Sequence, residues 1–280
     1  MHFLLLTILC STSIALILKH SDTKQGEPIV LLSGNYIVSS FIALILMLLG
    51  PTVYSLETFV FGTILGLLFV TAFFSFAKAV ANSGTALATI SSRLSVIIPI
   101  VFSIIIFNEE PSTLKLIGFA FTAVALVFFY FSLSEKNNPI NHKGKFYLLL
   151  FVLIAIGMCD FSLKIYKSVR PQDEEKFFVF VTFFFAFIYS LLYIIFKKVK
   201  IDKRTFITGL GLGIPNVFST IFLLAALSHI PAIVVYPTIN IGIIILTAIG
   251  AYIFWREKLN KAGLAAMIAG LIAITFLSIK

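Results

Sequence analysis

The sequence has little charge. Only 12% of its 280 residues are Asp, Glu, Lys or Arg, whereas 60% are apolar and 31 are Phe. A soluble domain usually carries about 25% charged and about 45 to 50% apolar residues, so this chain cannot present a mainly polar surface to water. Its apolar runs have the length of about 20 residues that a helix needs to cross a bilayer. The composition therefore predicts an all-α membrane protein.

Reactive side chains are scarce as well. The chain has two cysteines and four histidines, and they show no metal-ligand spacing. The sequence contains no Ser/His/Asp set and no Gly-rich phosphate loop. We therefore expect no enzyme activity, no metal and no cofactor. The formal charge of +9 is typical of Lys and Arg at membrane helix ends, and no basic stripe with interleaved aromatics predicts a nucleic-acid partner.

Apolar runs between charged or Pro/Gly breaks predict ten transmembrane helices. These cover residues 2–19, 28–49, 57–80, 85–107, 114–133, 146–166, 176–196, 206–228, 232–254 and 261–279. The longest polar stretch, residues 134–145, divides them into two units of five helices, 2–135 and 144–280. The Phe-rich run 177–187 of the seventh helix is predicted to face lipid.

The two units have breaks between helices at corresponding positions, although their residues differ. A shift of 148 residues brings Glu109, after the fourth helix, into register with Glu257, after the ninth. A shift of 147 aligns two pairs of small residues, Gly62 and Gly66 with Gly209 and Gly213. Small residues four apart let helix backbones approach closely in lipid. We expect the two glycine pairs to lie at equivalent helix contacts.

An odd number of helices in each unit has a topological consequence. If all ten helices cross the membrane, the second unit must enter from the side opposite to the first. The sequence therefore predicts two inverted five-helix repeats, related by a two-fold axis in the membrane plane. Such repeats place a site at their interface near the bilayer midplane, and rocking of one repeat against the other gives alternating access.

The residues around the two glutamates resemble a known family. Residues 107–118 and 255–263, the latter followed by Ala269 and Gly270, are similar to the twice-occurring signature of EamA-like proteins in the drug/metabolite transporter (DMT) superfamily. Residues 77–86 and 225–234 are similar to its helix-loop-helix arms. The resemblance covers nearly the whole chain. It implies efflux of amino acids, drugs and other small metabolites across the cell (inner) membrane, by exchange or with a proton gradient.

Glu109 and Glu257 are predicted to act structurally. A carboxylate at the end of one helix can cap the N-terminus of the next helix, where the helix dipole and free N–H groups favour negative charge. Contact with the substrate is the alternative role.

Arg93 is the basic residue furthest from the ends of a predicted helix. It is flanked by serines that include Ser92, and Asn240 of the ninth helix aligns with Ser92. A guanidinium cannot shed its charge, so at mid-membrane it needs a carboxylate, backbone carbonyls or water. We predict that Arg93 faces a central cavity between the two units, near Asn240, and binds the anionic part of a substrate or a gating carboxylate. A fixed contact without substrate is the alternative.

Asp160 is the one acid well inside a predicted helix, and Lys164 follows on the same helix face. A local ion pair, proton coupling and a partnership with Arg93 are all open as its role. Further polar side chains are candidates for lining a cavity or for bonding a neighbouring helix. They are Ser11, Thr12, Ser13, Asn35, Ser39, Asn216 and Tyr236.

Together these features favour a secondary transporter, an exporter or exchanger whose partners are a small-molecule substrate that can carry a carboxylate, protons and the lipid bilayer. Three alternatives remain: a lipid-linked substrate flippase or scramblase, a non-transporting membrane scaffold, and an intramembrane enzyme. The last would need several ionisable residues gathered near one membrane interface, and the sequence supplies few.

The orientation of the chain receives two conflicting predictions. If ten helices cross, 14 Lys and Arg lie on the side opposite the termini and six lie on the terminal side. The positive-inside rule then puts both termini outside. The family resemblance implies that both termini are cytoplasmic. The side that the termini face stays open.

Overall fold

A computed structural model describes residues 2–23, 26–98, 101–102, 112–136, 139–229 and 232–279, and their regular structure is entirely helical. Within these ranges, the α-helices with described bounds are α1 His2–Thr23, α2 Pro28–Leu48, α3 Leu56–Ser83, α4 Thr85–Leu94, α5 Thr113–Lys136, α6 Pro139–Val169, α7 Glu175–Phe196, α8 Lys203–His229, α9 Ala232–Trp255 and α10 Lys261–Ser278. A 3-10 turn, Gln172–Glu174, precedes α7. The prediction of an all-α protein is confirmed.

Seven helices in the described ranges are long and apolar enough to cross a membrane. Their spans are His2–Asp22, Pro28–Leu48, Leu56–Ser83, Lys143–Leu163, Glu175–Phe196, Lys203–Leu223 and Thr238–Trp255, and shorter apolar helices cover Thr113–Phe128 and Lys261–Phe276. Large apolar side chains such as Phe41, Ile64 and Ile253 are exposed on the outside, as expected of a surface that contacts lipid tails. The chain is a multi-pass membrane protein, and the number of ten crossings stays a prediction.

The polar stretch between the two predicted units is largely helical. α5 continues to Lys136 and α6 begins at Pro139, so both helices extend beyond their apolar parts. Proline suits the first turn of a helix, because the N–H that it lacks would have no partner there. The predicted unit boundaries at residues 135 and 144 therefore fall within helices.

Helix starts recur along the chain at a nearly constant spacing. α2 and α7 begin at Pro28 and Glu175, α3 and α8 at Leu56 and Lys203, and α4 and α9 at Thr85 and Ala232, each 147 residues apart. Two of the N-terminal caps recur with them. Ser55 accepts a hydrogen bond from the Thr58 N–H at 3.2 Å, and Asp202 accepts one from the Thr205 N–H at 2.8 Å. This spacing matches the shift found in the sequence.

The contacts between helices follow the same correspondence. α2 packs against α8 and α3 against α7, while α1 packs against α8 and α9, and α6 packs against α3 and α4. If α1–α5 are exchanged in order with α6–α10, the contact α2–α8 corresponds to α3–α7, α1–α8 to α3–α6, and α1–α9 to α4–α6. The contacts α5–α10, α2–α7 and α4–α9 are unchanged by this exchange.

Glycines lie where these helices approach most closely. A Cβ added at Gly66 of α3 would stand 2.8 Å from the Thr182 carbonyl oxygen of α7, and one added at Gly213 of α8 would stand 2.6 Å from the Asn35 carbonyl oxygen of α2. Gly62 likewise contacts α7, and Gly209 contacts α2. The predicted glycine pairs therefore both lie at helix contacts, where backbone meets backbone.

A single residue, Gly84, joins α3 to α4. Its φ is 93°, in the left-handed region that residues with a side chain rarely adopt. The Gly84 N–H donates to the Val80 carbonyl at 3.1 Å, and its own carbonyl accepts from the Ala88 N–H at 3.1 Å. The two helices therefore meet without any loop between them.

The prediction that residues 177–187 face lipid is wrong for part of the run. Phe178 and Phe183 are buried, whereas Phe184 is exposed. α7 contacts both α2 and α3, so two faces of this helix are covered by protein.

The glycine contacts predict a difference between two alanine substitutions on the same helix. We expect Gly209→Ala to lower the free energy of unfolding by about 1 to 3 kcal/mol, since its Cβ would collide with the Leu31 carbonyl and force the helices apart. Gly211→Ala is the control, because a Cβ there has no neighbour within 4 Å. Thermal unfolding midpoints in detergent measure both, and equal midpoints would contradict the expectation.

Candidate functional site

Arg93 of α4 lies near Asp160 of α6, although no ion pair within 4.0 Å joins them among the described residues. The two charges are within electrostatic range of each other, and the Ser95 hydroxyl donates to Asp160 Oδ2 at 3.5 Å. Asp160 is exposed at the surface of the bundle. Arg93 is half-buried, and its Nε has no hydrogen-bond partner among the described residues. One of its N–H donors is therefore unused by the described part of the chain.

A close crossing of α4 and α6 brings these two charges together. The Ser91 hydroxyl donates to the Leu149 carbonyl of α6 at 2.6 Å. Gly157 of α6 lies against α4, where an added Cβ would stand 2.8 Å from the Ser95 carbonyl oxygen. Serine and glycine at this crossing allow an approach that larger side chains would prevent.

Three other residues predicted to bind the substrate are distributed over three helices. Ser92 is buried, and its hydroxyl donates to the Thr89 carbonyl of its own helix at 2.8 Å. Asn240 is buried on α9, which packs against α4, and Ser11 is half-buried on α1, which packs against α9. Their contact with a substrate stays a prediction.

Three predicted site residues cannot be placed. Glu109 lies outside the described residues, and so do the side chains of Lys164 and Tyr236. The proposed ion pair between Asp160 and Lys164 therefore stays a prediction.

Asn35 belongs to a separate polar group that joins α2 to α8. Its Oδ1 accepts from Asn216 Nδ2 at 3.0 Å and from the Ser39 hydroxyl at 3.5 Å, and Ser39 also lies 3.2 Å from the Gly213 carbonyl. Asn35 is fully buried, and its Nδ2 has no partner within the described part of the chain. This group is built on a different helix pair from Arg93 and Asp160.

Pro215 precedes Asn216 inside α8. Proline has no N–H, so it cannot donate the helical hydrogen bond to the residue four positions before it. The hydrogen-bonded side chains of Asn35 and Asn216 thus lie beside a missing backbone hydrogen bond in α8. Sequence reasoning missed this feature, although a proline within a predicted apolar helix was its signal.

Glu257 contacts α4 rather than the helix that follows it. The Asn260 side chain accepts from the Gly263 N–H at 2.8 Å and so caps α10. Glu257 Oε1 instead accepts a long hydrogen bond of 3.5 Å from the Ala86 N–H at the start of α4, and Oε2 lies 3.8 Å from Lys19 Nζ. The expected capping of the next helix is therefore wrong, because Asn260 already occupies that position. The contacts support a structural role for Glu257.

A second ionic cluster surrounds Glu174, which is 4% exposed. Arg170 donates to both of its carboxylate oxygens, from Nη2 to Oε1 at 2.8 Å and from Nε to Oε2 at 3.1 Å. The Ser55 hydroxyl donates to Oε2 at 2.9 Å, and the Thr58 hydroxyl donates to the same oxygen. Arg170 also bonds Glu57. The hydrogen bond from Thr58 and those from Arg170 and Ser55 lower the pKa of Glu174.

The two ionic clusters lie at opposite ends of α3. Ser55 precedes its first residue, and Gly84, which contacts the Glu257 carboxylate, follows its last. We call these two ends of the bundle the Arg170 end and the Glu257 end. Each cluster joins the first five helices to the last five, and so does the pair of Arg93 and Asp160 between them. Sequence reasoning missed the Glu174 cluster because its partners are separated by up to 119 positions.

Comparisons with known proteins agree with a shared fold and give no function. No protein-family model matches the chain. An uncharacterized protein of Haemophilus influenzae is 27% identical over 285 residues, which cover 98% of this chain and 96% of that protein. A protein of known crystal structure is similar in fold with a TM-score of 0.65 and 14% sequence identity, over 98% of this chain and 94% of the other.

The Glu174 cluster predicts a pH-dependent contribution to stability. We expect Glu174→Gln to lower the free energy of unfolding at pH 7 by about 1.5 to 3 kcal/mol, the usual value of hydrogen bonds to a charged group. Because the folded pKa of Glu174 is lowered, this contribution is present above the ordinary pKa of about 4.3 and disappears as the pH falls through the lower folded value.

Thermal unfolding of the wild-type and Glu174→Gln proteins between pH 7 and pH 3 measures this effect. Asp173→Asn is the matched control, since the Asp173 side chain is exposed. A constant difference between wild type and Glu174→Gln across the whole pH range would refute the assignment.

Proposed function

We propose that this protein is a secondary transporter of small organic metabolites that carry a carboxylate, such as amino acids, in the cell (inner) membrane. The observation that carries the proposal is the pair of Arg93 and Asp160, which are opposite charges on two helices of a multi-pass membrane protein. Ionisable groups at membrane depth are costly and usually mark a substrate or ion pathway. Within the described ranges, Arg93 Nε has no hydrogen-bond partner, which leaves a donor of this cation without a structural use there.

The arrangement of helices supports alternating access. The main helix contacts correspond when α1–α5 are exchanged in order with α6–α10, and the starts of α2–α5 recur in α7–α10 at spacings of 147 or 148 residues. Two five-helix repeats account for both patterns. If all ten helices cross, these repeats are inverted, and two inverted repeats can rock about a fixed central site. The resemblance to EamA-like transporters of the drug/metabolite superfamily points in the same direction.

The residues between and at the ends of the repeats suggest how a cycle would proceed. Arg93 would bind the substrate carboxylate through two parallel N–H donors, in competition with Asp160. A proton on Asp160 would remove the negative charge that competes with the substrate for Arg93, which couples proton and substrate binding. The Glu174 cluster would open when the Arg170 end opens, and the contacts of Glu257 would open at the other end.

Transport by an Arg93→Lys variant tests the proposal. Lysine keeps the positive charge but lacks the planar fork of arginine, so we expect counterflow of the transported carboxylate in proteoliposomes to fall by roughly tenfold or more. Arg256→Lys is the matched control, since Arg256 is exposed at the end of α9. The control should transport at the wild-type rate.

The same proteoliposomes separate the alternatives. Full counterflow by an Arg93→Ala variant would contradict the role given to Arg93. Bleaching of inner-leaflet fluorescent lipid by dithionite, without counterflow of any amino acid or other carboxylate, would instead indicate a flippase or scramblase. The absence of both activities in folded, reconstituted protein would favour a membrane scaffold.

A further inference from the structure

The turn between α7 and α8 concentrates positive charge. Of the eight residues 197–204, which comprise this turn and the first two residues of α8, five are basic and have exposed side chains: Lys197, Lys198, Lys200, Lys203 and Arg204. We call these eight residues the basic turn. No ion pair within 4.0 Å joins these side chains to the rest of the described chain. Their mutual repulsion is therefore largely uncompensated by carboxylates of this protein.

The one acid in the basic turn is engaged with the backbone. Asp202 accepts from the Thr205 N–H at 2.8 Å and from the Thr205 hydroxyl at 2.9 Å. The backbone hydrogen bond from Thr205 is the main reason that the pKa of Asp202 is lowered, and nearby Arg204 contributes. Asp202 therefore stays charged and caps α8, and it leaves an excess of positive charge on the turn.

Lys198 occupies a backbone conformation that favours glycine. Its φ is 49°. Its N–H donates to the Ile195 carbonyl at 3.2 Å and the Val199 N–H donates to the Ile194 carbonyl at 3.0 Å, which is the pattern of a Schellman C-cap. Glycine is the usual residue at this position of the motif, and a side chain there costs backbone strain. Glycine at this position would therefore remove backbone strain that lysine introduces.

Lys203 is also placed against a local preference. It is the first residue of α8, and the N-terminus of a helix carries a partial positive charge that disfavours cations. Lys197 and Lys198, at the C-terminal end of α7, are favoured by the dipole of that helix. Helix dipoles thus explain part of the cluster but not Lys203, and strain remains at Lys198.

Apolar neighbours put the basic turn at the membrane surface. Ile195 and Phe196, at the end of α7, are 59% and 79% exposed, and Ile201 within the turn is 57% exposed. Val199 packs against the buried cluster that contains Ile194, which holds the turn on the bundle. Exposed apolar groups beside lysines are typical of the boundary between lipid tails and headgroups.

We propose that the basic turn binds the headgroups of anionic phospholipids in the leaflet at the Glu257 end of the bundle. The turn lies at that end because Thr205, just after it, meets Gly26 and Ser21 at the end of α1, and Lys19 of α1 lies near Glu257. A basic residue near an anionic lipid surface contributes about 1 kcal/mol. Binding to this leaflet compensates the charges that the fold itself does not.

Thermal unfolding of the detergent-purified full chain tests the proposal. Added phosphatidylglycerol should raise the unfolding midpoint of the wild type more than phosphatidylcholine does, and the difference should shrink when salt is raised from about 50 mM to about 500 mM. The triple variant K197Q/K200Q/K203Q should lose most of the gain from phosphatidylglycerol. K176Q, an exposed lysine at the start of α7 and hence at the Arg170 end, is the matched control and should keep the gain.

Lys198→Gly separates lipid binding from folding. Relief of the left-handed conformation should leave its midpoint in phosphatidylcholine unchanged or higher, while the gain from phosphatidylglycerol falls. Inorganic phosphate at the same concentration distinguishes a lipid headgroup from a free anion. The proposal is overturned if phosphate reproduces the gain, if the triple variant keeps it, or if phosphatidylcholine gives the same gain.

Discussion

The close approach of helix backbones at glycine is the contact on which the other interactions of this bundle depend. Lipid tails are as apolar as leucine, so helices in a membrane gain little from burying apolar side chains against each other. What remains is packing and hydrogen bonding at short range. Gly66 brings α3 onto α7, and Gly213 brings α8 onto α2. The hydrogen bonds between Asn35 and Asn216 and between Ser55 and Glu174 can form only because these backbones already lie together.

Polar residues are few in this chain and are used at the junction of the two sets of five helices. One ionic cluster lies at each end of α3, and the charge pair of Arg93 and Asp160 lies on α4 and α6. Each group takes partners from both sets, so a relative movement of the sets must break some of these contacts and keep others. Charged groups that leave such a contact need water or a ligand, because lipid offers neither donors nor acceptors. The same few residues therefore hold the two sets together and limit how they can separate.

Local features of the fold were predictable and contacts between distant residues were not. Gly62, Gly66, Gly209 and Gly213 could be identified from spacing alone, because small residues four apart mark one helix face. Apolar runs located the helices but not their ends, since the ends of α5 and α6 at Lys136 and Pro139 lie in a polar stretch. The partners of Glu174 could not be found, because Arg170 and Ser55 are 115 positions apart and meet only after α3 and α6 have packed. The lipid-facing side of α7 was misjudged because periodicity gives no information about how many neighbours a helix has.

Because only Gly84 connects α3 to α4, the start of α4 is fixed closely to the end of α3. A helix rises about 1.5 Å per residue, so Arg93, nine positions from the joint, lies about 13 Å along the arm. A rotation of α4 by about 10° about Gly84 would displace its backbone at Arg93 by roughly 2 Å, the difference between a hydrogen bond and a broken one. α4 cannot slide along α3 without distorting that joint, which leaves angular motion as its main freedom. The carboxylate of Glu257 lies against Gly84, so a rearrangement of this contact at one end of the bundle would change the angle of α4 and with it the position of the Arg93 charge.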